Sequence, residues 1–380
     1  MKILIDSSPV RANKRIGFYR YSSILLNALH AADHENSYEV ITQDPKLMDR
    51  ISQFGGRFHV QRPPGRLPML HREGVGLLGS IFLWGIDVVH FPCTDIWFSP
   101  RGKKAVVTVH DLALLHYPEY FFKNSKEEKI AHFLLKKIAE LSAAIVTISD
   151  YSRKDMIERL KVPPEKIFTI YNSVDTFFLQ PQPREPSDKF KKLALESPYF
   201  LFVGDLDFRK NIPLLLRAFS IYRQRGGRYL LALVGHMSTE DSLYYPSIEP
   251  VLKEMKDRGS VRHFQGIGDD VLPEIYQRSG GLVFPSSFEG FGSPLLEAMA
   301  MGAPIITVQT SCLPEVAGDA ALIVPLGEES LAEAMQRMEQ DESLRTELIQ
   351  KGRKRLENLF MPVIHGRHMK ALYEKLANRG

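Results

Sequence analysis

The sequence predicts an α/β protein with two doubly wound, Rossmann-like domains that face each other across a cleft. Short β-rich apolar runs alternate with helical patterns along the chain, as in parallel sheets covered by helices. Runs such as Ala105–Val109 are apolar on both faces, as buried parallel strands are. The pattern stops at a proline-rich stretch and then restarts, and 380 residues are enough for two domains.

The first domain is predicted over residues 1–178. Its predicted strands are Lys2–Asp6, Tyr38–Thr42, Asp87–Phe91, Ala105–Val109, Ala144–Ile148 and Ile167–Ile170. Its predicted helices are Tyr19–Ala31, Lys126–Leu141 and Tyr151–Leu160.

The stretch Gln180–Lys189 contains three prolines, which predicts an interdomain linker over residues 179–198. The second domain is predicted over residues 199–361. Its strands are Tyr199–Val203, Tyr229–Val234, Val261–Phe264, Gly281–Phe284, Pro304–Val308 and Ala320–Val324. Three more helices are predicted between Glu328 and Leu376.

The composition is that of a globular protein, with 44% hydrophobic and 25% charged residues. It excludes disordered, collagen-like and coiled-coil chains. The net charge is 49 − 45 = +4, which does not indicate a nucleic-acid partner. The charge is uneven, however, because residues 1–180 hold 24 Lys and Arg against 19 Asp and Glu, and eight of the twelve histidines.

The cysteine content and the lack of expected targeting or membrane-spanning segments predict a cytoplasmic protein. Cys93 and Cys312 are far apart and do not form a disulfide framework, so a reducing compartment is expected. Met1 leads directly into the first strand, so no signal peptide is expected. The least polar stretch, Gly74–Ile86, is shorter than the roughly 20 residues that a transmembrane helix needs.

The most informative segment is Pro285–Pro304. A strand ends just before it, and Gly290 and Gly292 follow in a loop where backbone N–H groups can approach a ligand. We predict Ser293 as the N-cap of the next helix. Glu289 stays in the loop and Glu297 lies one turn into the helix, where carboxylates suit sugar or ribose hydroxyls. A capped helix with solvated acids is the alternative.

With its flanking residues, this segment resembles the E-x7-E signature of retaining glycosyltransferase family 4, which has the GT-B fold. The resemblance extends over nearly the whole chain and is to bacterial mannosyl- and glucosyl-type transferases of surface glycan assembly. It implies that Glu289 lies against the donor sugar and Glu297 holds the nucleotide ribose. The Phe291 and Gly292 amides would meet sugar and phosphate. It also implies that a C-terminal helix over residues 362–380 crosses back to the first domain.

A second constellation follows the first strand of the second domain, where Gly204 precedes the adjacent cations Arg209 and Lys210. Such a pair can be a solvated surface feature. The family resemblance implies instead that both cations clamp the donor diphosphate and stabilise the leaving group. Asp205 and Asp207 are two positions apart, but the cations of the clamp follow them, so they are not a DxD cluster of the metal-binding kind. We therefore predict transfer without a metal ion or other cofactor.

His110 follows a buried strand, and a structural cap is the alternative interpretation of it. The resemblance implies that it lies beneath the donor sugar and donates a hydrogen bond, with Asp111 orienting it or the acceptor. Gly17 matches the first glycine of a family loop and is a candidate phosphate contact. Tyr19 replaces the second glycine. Arg20 faces either the acceptor or solvent.

The turn at Gly268–Asp270 is where the family holds the nucleotide base. An acidic side chain can accept hydrogen bonds from guanine, so Asp270 makes GDP-mannose the favoured donor. Asp269 or Asp270 could instead cap the helix Val271–Arg278.

A basic, proline-interrupted loop between Arg57 and Arg72 precedes the apolar segment Leu77–Trp84. It predicts a peripheral contact of the first domain with the inner face of an anionic membrane or with a lipid-phosphate acceptor. A solvated loop is the alternative.

We therefore expect a retaining glycosyltransferase that moves a hexose from a nucleotide-diphosphate sugar to a glycan or lipid-linked acceptor. His110, Arg209, Lys210 and Glu289 are the candidate catalytic residues. The remaining donor-binding candidates are Gly17, Gly204, Gly268, Asp270, Gly290, Phe291, Gly292, Ser293 and Glu297. The alternatives are a GT-B nucleotide-sugar epimerase and a non-catalytic protein that binds sugar nucleotides or polyanions.

Overall fold

The structure is a computed structural model that describes residues 1–8, 16–61, 85–94, 104–182, 185–195, 198–238 and 242–378. The chain divides into two units. The N-unit comprises Met1–His116, Phe122–Asp175 and Met361–Gly380, and the C-unit comprises Tyr117–Phe121 and Thr176–Phe360.

The N-unit is built on a parallel sheet of seven strands. They are β1 (Lys2–Asp6), β2 (Ser37–Ile41), β3 (Phe58–Gln61), β4 (Val88–Phe91), β5 (Lys104–Thr108), β6 (Ala144–Thr147) and β7 (Ile167–Thr169). Their order is β3-β2-β1-β4-β5-β6-β7. The six predicted strands of this half are confirmed to within a residue at each end. The sequence missed β3 because this edge strand alternates polar with apolar residues and has no continuous apolar run.

The helices described up to residue 160 are α1 (Ile16–Ala32), α2 (Pro45–Ser52), α3 (Ala113–His116), α4 (Pro118–Phe121), α5 (Ser125–Leu141) and α6 (Asp150–Leu160). The sequence did not predict α2, although Asp44 caps it by accepting from the backbone N–H groups of Lys46 and Leu47. The short α4 belongs to the C-unit, where the Tyr120 ring stacks on Phe208 with centroids 3.7 Å apart.

The C-unit is built on a parallel sheet of six strands. They are β8 (Tyr199–Val203), β9 (Leu230–Val234), β10 (Val261–Phe264), β11 (Gly281–Phe284), β12 (Ile305–Val308) and β13 (Leu322–Val324), in the order β10-β9-β8-β11-β12-β13. All six were predicted. The remaining helices are α7 (Asp188–Lys191), α8 (Ile212–Gln224), α9 (Glu249–Glu254), α10 (Leu272–Gln277), α11 (Ser293–Met301), α12 (Leu313–Ala317), α13 (Glu328–Gln340), α14 (Glu342–Leu359) and α15 (Pro362–Ala377).

Part of the predicted linker is packed rather than free. Ser187 donates two hydrogen bonds to the Glu274 carboxylate, one from its backbone N–H at 2.9 Å and one from its hydroxyl at 2.6 Å. The Phe190 side chain of α7 is buried. Residues 187–190 therefore belong to the folded C-unit.

The last helix, α15, packs along α1 of the N-unit, which confirms the predicted return of the C-terminal helix to the first domain. Gly366 allows the close contact, since a Cβ built there would lie 2.0 Å from the Ala28 carbonyl oxygen. Within the described residues, no helix has both the length and the apolar character that crossing a membrane requires.

Gly366→Ala should therefore destabilise the protein, although alanine is the better helix former. The new methyl group would meet backbone atoms that cannot move aside, and we expect a loss of about 1–3 kcal/mol in the free energy of unfolding. Urea unfolding followed by circular dichroism would measure it. Gly56→Ala is the control, because a Cβ at Gly56 meets no atom within 4 Å. An unfolding midpoint for Gly366→Ala at or above that of the wild type would contradict the packing argument.

Candidate active site

The candidate donor site lies where the order of strands in the C-unit sheet reverses. From β8 the chain proceeds outward through β9 and β10, and it then returns to the other side of β8 to form β11. The loops after β8 and β11 therefore diverge at the carboxyl edge of the sheet, where α/β folds bind ligands. Arg209 and Lys210 follow β8, and Glu289 follows β11.

The loop after β8 depends on two glycines. Gly204 has φ +147°, and Gly235, at the end of β9, approaches it so closely that a Cβ at Gly235 would lie 1.9 Å from the Gly204 carbonyl oxygen. This approach lets the chain turn sharply into the short helical turn Phe208–Lys210. Gly204 therefore serves the backbone geometry that presents the two cations.

Arg209 is held by Asp207, a residue that the sequence analysis did not assign. The Asp207 carboxylate accepts from the Arg209 backbone N–H at 3.0 Å, from Nε at 3.0 Å and from Nη2 at 2.8 Å. Tyr244 accepts a further bond from Nη2 at 3.3 Å. Although burial opposes the charge, the hydrogen bonds and the charge of Asp207 raise the pKa of Arg209. Arg209 is thus a permanent, fixed cation.

Lys210 forms an ion pair with Glu289, so the structure brings together two of the predicted catalytic residues. Both side chains are about nine-tenths buried, with 12% exposed in each case. The Lys210 ammonium also lies 5.3 Å from the centroid of the Phe284 ring. A cation and a carboxylate are therefore held side by side in a poorly hydrated place.

Hydrogen bonds between the two loops fix this pair. The backbone N–H of Ser287 donates to the Arg209 carbonyl at 2.7 Å, and the Asn211 amide donates to the Pro285 carbonyl at 3.1 Å. The Glu289 backbone N–H donates to Ser311 Oγ at 2.9 Å. Each of these bonds uses a main-chain group, and the side chains come from Asn211 and from Ser311, which follows β12.

The N-cap of α11 is Gly292, so the prediction of Ser293 as N-cap is wrong. Gly292 has φ +88°, a conformation that serine adopts only with strain, and a Cβ there would lie 2.9 Å from Leu313. Ser293 is the first helical residue, and no side chain caps this helix start. The Gly290–Ser293 segment therefore presents backbone N–H groups at a helix N-terminus, which favours anions.

Glu297 lies within α11 and is only 4% exposed. Its Oε2 accepts a hydrogen bond from the Tyr276 hydroxyl at 2.7 Å, and Tyr276 is itself buried on α10. The structure thus separates the two glutamates of the motif: Glu289 lies in the loop beside Lys210, and Glu297 is held one turn further along by a tyrosine that no sequence signal indicated.

Asp270 forms an ion pair with Lys189 of α7, and the hydrogen bond from Lys189 lowers its pKa. The next helix, α10, begins at Leu272 with Val271 as its N-cap and without a side-chain cap. The alternative interpretation of Asp269 or Asp270 as a helix cap is therefore wrong. The carboxylate of Asp270 follows Gly268 in an exposed turn, and its role towards a base stays a prediction.

In the N-unit, His110 lies after β5 with its ring against Phe18 and the edge of Tyr21. Its Nε2 is 2.9 Å from the Pro92 carbonyl oxygen, which can only accept, so Nε2 carries the proton. Burial lowers the pKa of His110, so the ring is neutral and Nδ1 is an acceptor. In this tautomer Nδ1 would accept from a sugar hydroxyl, and the predicted donation by His110 stays a prediction.

Asp111 caps α3 by accepting from the Ala113 backbone N–H at 2.9 Å. Gly17 lies in the first turn of α1, and a Cβ there would meet no atom within 4 Å, so packing within the chain does not require glycine. Its neighbour Phe18 contacts His110, which places the start of α1 beside that histidine. The phosphate contact of Gly17 stays a prediction, and both interpretations of Arg20 stay open.

A buried chain of hydrogen bonds leads to Tyr21, whose ring contacts His110. The Tyr21 hydroxyl is 3.0 Å from Thr108 Oγ1, which is 2.8 Å from His90 Nε2, and His90 Nδ1 is 2.7 Å from the Tyr373 hydroxyl of α15. This network could not be predicted from the sequence, because its members come from β4, β5, α1 and α15. Its sequence signal is His90, a histidine inside the otherwise apolar strand β4.

The predicted basic loop lies largely outside the described residues, as do Arg62, Arg66, Arg72 and the segment Leu77–Trp84. Arg57 is described, and its Nη1 donates to the His34 carbonyl at 2.7 Å.

Comparisons with known proteins agree with this arrangement. The family model for Glycosyltransferase Family 4 matches residues 19–177, and that for Glycosyl transferases group 1 matches residues 183–355. O-antigen chain mannosyltransferase B of Escherichia coli is 31% identical over 340 residues, which are 85% of this chain and 86% of that protein. O-antigen chain mannosyltransferase RfbU of Salmonella typhimurium is 30% identical over 250 residues, covering 65% and 64% of the two chains.

Among solved structures, Anabaena HepE in complex with UDP and glucose has a TM-score of 0.76 at 16% identity, and the match covers 99% of this chain and 100% of that one. Two parallel-sheet domains of this kind have the GT-B fold, as that structure has. The chain belongs to the family of group 1 and family 4 glycosyltransferases. The predicted fold class, family and enzyme class are thereby confirmed.

The buried histidines of the N-unit predict a loss of stability in mild acid. Burial lowers the pKa of His90 and of His365 from 6.5 to about 3 in each case. Below pH 6.5 the unfolded chain therefore binds protons that the folded chain excludes. Stability should fall as the pH drops through the window from 6.5 towards 3, and each of these two histidines contributes up to about 1.4 kcal/mol per pH unit to the fall.

Urea unfolding at about pH 7.5, 6.5 and 5.5 would measure this dependence. His365→Met, which removes one of the two groups, should reduce the slope by about one proton. His59→Gln, at an exposed position of β3, should leave it unchanged. A slope for His365→Met equal to that of the wild type would remove His365 from the account.

Proposed function

We propose that this glycosyltransferase transfers mannose, with retention of configuration and without a metal ion, from GDP-mannose to a lipid-linked surface glycan. The proposal depends mainly on one observation. Arg209 and Lys210, from the loop after β8, lie with Glu289, from the loop after β11, at the carboxyl edge of the sheet. The proposal also places the enzyme in the cytoplasm, at the inner face of the membrane.

The two cations suit a diphosphate leaving group. As the bond between sugar and phosphate breaks, negative charge develops on the phosphate, and fixed cations in a poorly hydrated site stabilise it most. Arg209 is fixed by Asp207, and Lys210 is fixed by Glu289. The N-terminus of α11 adds backbone N–H groups on the same side of the sheet. In this proposal the cations supply what a divalent ion would otherwise supply.

The arrangement favours a same-face transfer over a covalent intermediate. The Glu289 carboxylate is engaged by Lys210 in the ion pair, so it is not free to attack the sugar as a nucleophile. In the proposed step the bond from C1 to the phosphate oxygen breaks, the acceptor hydroxyl attacks the same face, and the departing phosphate takes its proton. Glu289 holds the sugar hydroxyls, and His110 Nδ1 accepts from one of them.

Mannose as the donor sugar is supported by the two mannosyltransferases of O-antigen chains that are about 30% identical to this chain. The guanine base is supported by Asp270, whose exposed carboxylate lies in the turn after β10. The same two relatives support an acceptor that belongs to a surface polysaccharide. The membrane contact is supported by the positive surplus of residues 1–180, 24 − 19 = +5.

Lys210→Ala should lower turnover by about 10²–10³, because it removes a cation that acts on developing charge. It also leaves the buried Glu289 carboxylate without its partner, so circular dichroism melting must first show that the variant is folded. Mannose transfer from GDP-mannose to lipid-linked glycan, followed by mass spectrometry, would measure it. Lys191→Ala is the matched control, since Lys191 is exposed on α7. Turnover like that of the wild type in a folded Lys210→Ala protein would remove Lys210 from the chemistry.

The donor itself is tested by thermal-shift titration with GDP, UDP and ADP sugars, because a ligand stabilises by RT ln(1 + [L]/Kd). GDP-mannose should give the largest shift. Asp270→Asn should weaken GDP-mannose binding by about tenfold and leave UDP-sugar binding unchanged, since the loss of one good base contact costs about 1–3 kcal/mol. A larger shift with a UDP or ADP sugar would refute the guanine assignment.

A further inference from the structure

We propose that helix α5 docks the N-unit onto an anionic membrane surface through an exposed apolar face. The face consists of Ile130, Phe133, Leu134 and Leu141, which are exposed by 48%, 58%, 49% and 75%. The sequence analysis treated this helix only as part of the fold. The inference rests on the proposed function for its biological setting, but not on the transferase chemistry.

The helix is anchored on its opposite side, so the exposure does not come from a detached helix. Leu135 and Ala139 are buried in the hydrophobic core of the N-unit, and Ile138 packs against that core. Positions 135, 138 and 139 share one helical face, whereas 130, 134 and 141 point the other way. A helix in a globular protein usually has polar residues on its solvent side, and α5 has large apolar residues there.

Lysines surround the apolar face. Lys126, Lys129 and Lys137 are exposed on the same helix, and the Lys137 ammonium lies 5.8 Å from the centroid of the Phe133 ring. Residues 123–141 contain five lysines and three glutamates, which gives 5 − 3 = +2. The lysines thus stand beside the apolar side chains.

The glutamates of α5 do not oppose an anionic surface strongly. Glu127 accepts from the Lys123 backbone N–H at 2.9 Å, so it caps the start of the helix. Glu140 is ion-paired with Lys137 at 2.6 Å, and Glu128 is half-buried. The accessible charge beside the apolar face is therefore mainly positive.

This composition fits a lipid surface better than a protein partner. Lysine is depleted at the centre of protein interfaces, because its hydrated ammonium is costly to bury. At a membrane interface the lysine stem can lie along the acyl chains while the ammonium reaches a phosphate. Phenylalanine and leucine insert into the same boundary layer. We therefore commit to anionic phospholipid as the occupant of this face.

Co-sedimentation with vesicles tests the inference without any donor or acceptor, so its failure leaves the transferase proposal intact. The full-length protein should bind vesicles containing about 30% phosphatidylglycerol and should bind pure phosphatidylcholine far less, since each lysine near an anionic surface contributes about fivefold. High salt should weaken the binding by screening. Absence of binding to the anionic vesicles would overturn the inference.

The residues are tested with Phe133→Ser/Leu134→Ser, which should lower the partition coefficient at least about tenfold because two large apolar side chains no longer insert. Lys126→Gln/Lys129→Gln should lower it on anionic vesicles only. Leu243→Ser is the matched control, because Leu243 is 71% exposed in the C-unit. Circular dichroism melting confirms that each variant is folded.

Two outcomes would overturn the assignment to α5. Vesicle binding of Phe133→Ser/Leu134→Ser equal to that of the wild type would place the membrane contact elsewhere. A change in oligomeric state by analytical ultracentrifugation, with unchanged vesicle binding, would show that the apolar face serves a second copy of the chain.

Discussion

The ion pair between Lys210 and Glu289 is the constraint on which the donor site depends. Two charges about nine-tenths removed from solvent are stable together and costly apart. Three features bring the two charges into contact. The strand order places the loops after β8 and β11 at the same edge of the sheet. Hydrogen bonds from Ser287 and Asn211 join these loops, and Gly235 approaches Gly204 closely at the start of the first one. In the proposed function the pair persists when the donor binds. The diphosphate shares Lys210 with Glu289, and the Glu289 carboxylate also accepts from the sugar hydroxyls.

Much of the fold could be predicted because buried parallel strands have a local signature. Runs such as Ala144–Thr147 are apolar on both faces, and they are recognised without knowledge of their neighbours. The edge strand β3 was not predicted, because part of it faces solvent and its residues are polar and apolar in alternation. The prolines after Gln180 indicated a break between domains, but the contacts of Ser187 with Glu274 come from residues far apart in sequence and leave no local trace.

The site could be predicted only as far as its motifs extend. Arg209, Lys210, Glu289 and Glu297 stand in recognisable local contexts. Their hydrogen-bond partners have no such local context. Ser311 and Tyr276 bond the glutamates from other elements of the fold. Asp207 lies inside the motif, but the motif assigns it no role. Ser293 was predicted as the N-cap because serine is generally preferred there. The N-cap of α11 has a left-handed conformation that glycine adopts easily, and Gly292 takes this position. The hydrogen-bond direction at His110 depended on the Pro92 carbonyl, which follows a different strand.

The uneven charge of the sequence acquires a physical meaning from these contacts. In the C-unit, Arg209 and Lys210 are each paired with a carboxylate, so these cations add no surplus of positive charge to the unit. In the N-unit, lysines of α5 stand beside apolar side chains that are open to solvent. A fixed, compensated cation suits one small anion in a defined pose, whereas exposed lysines around an apolar face suit a surface that carries many anionic groups. Under the two proposals, the halves use positive charge in different ways: the C-unit for a donor taken from water, and the N-unit for an acceptor at a lipid surface.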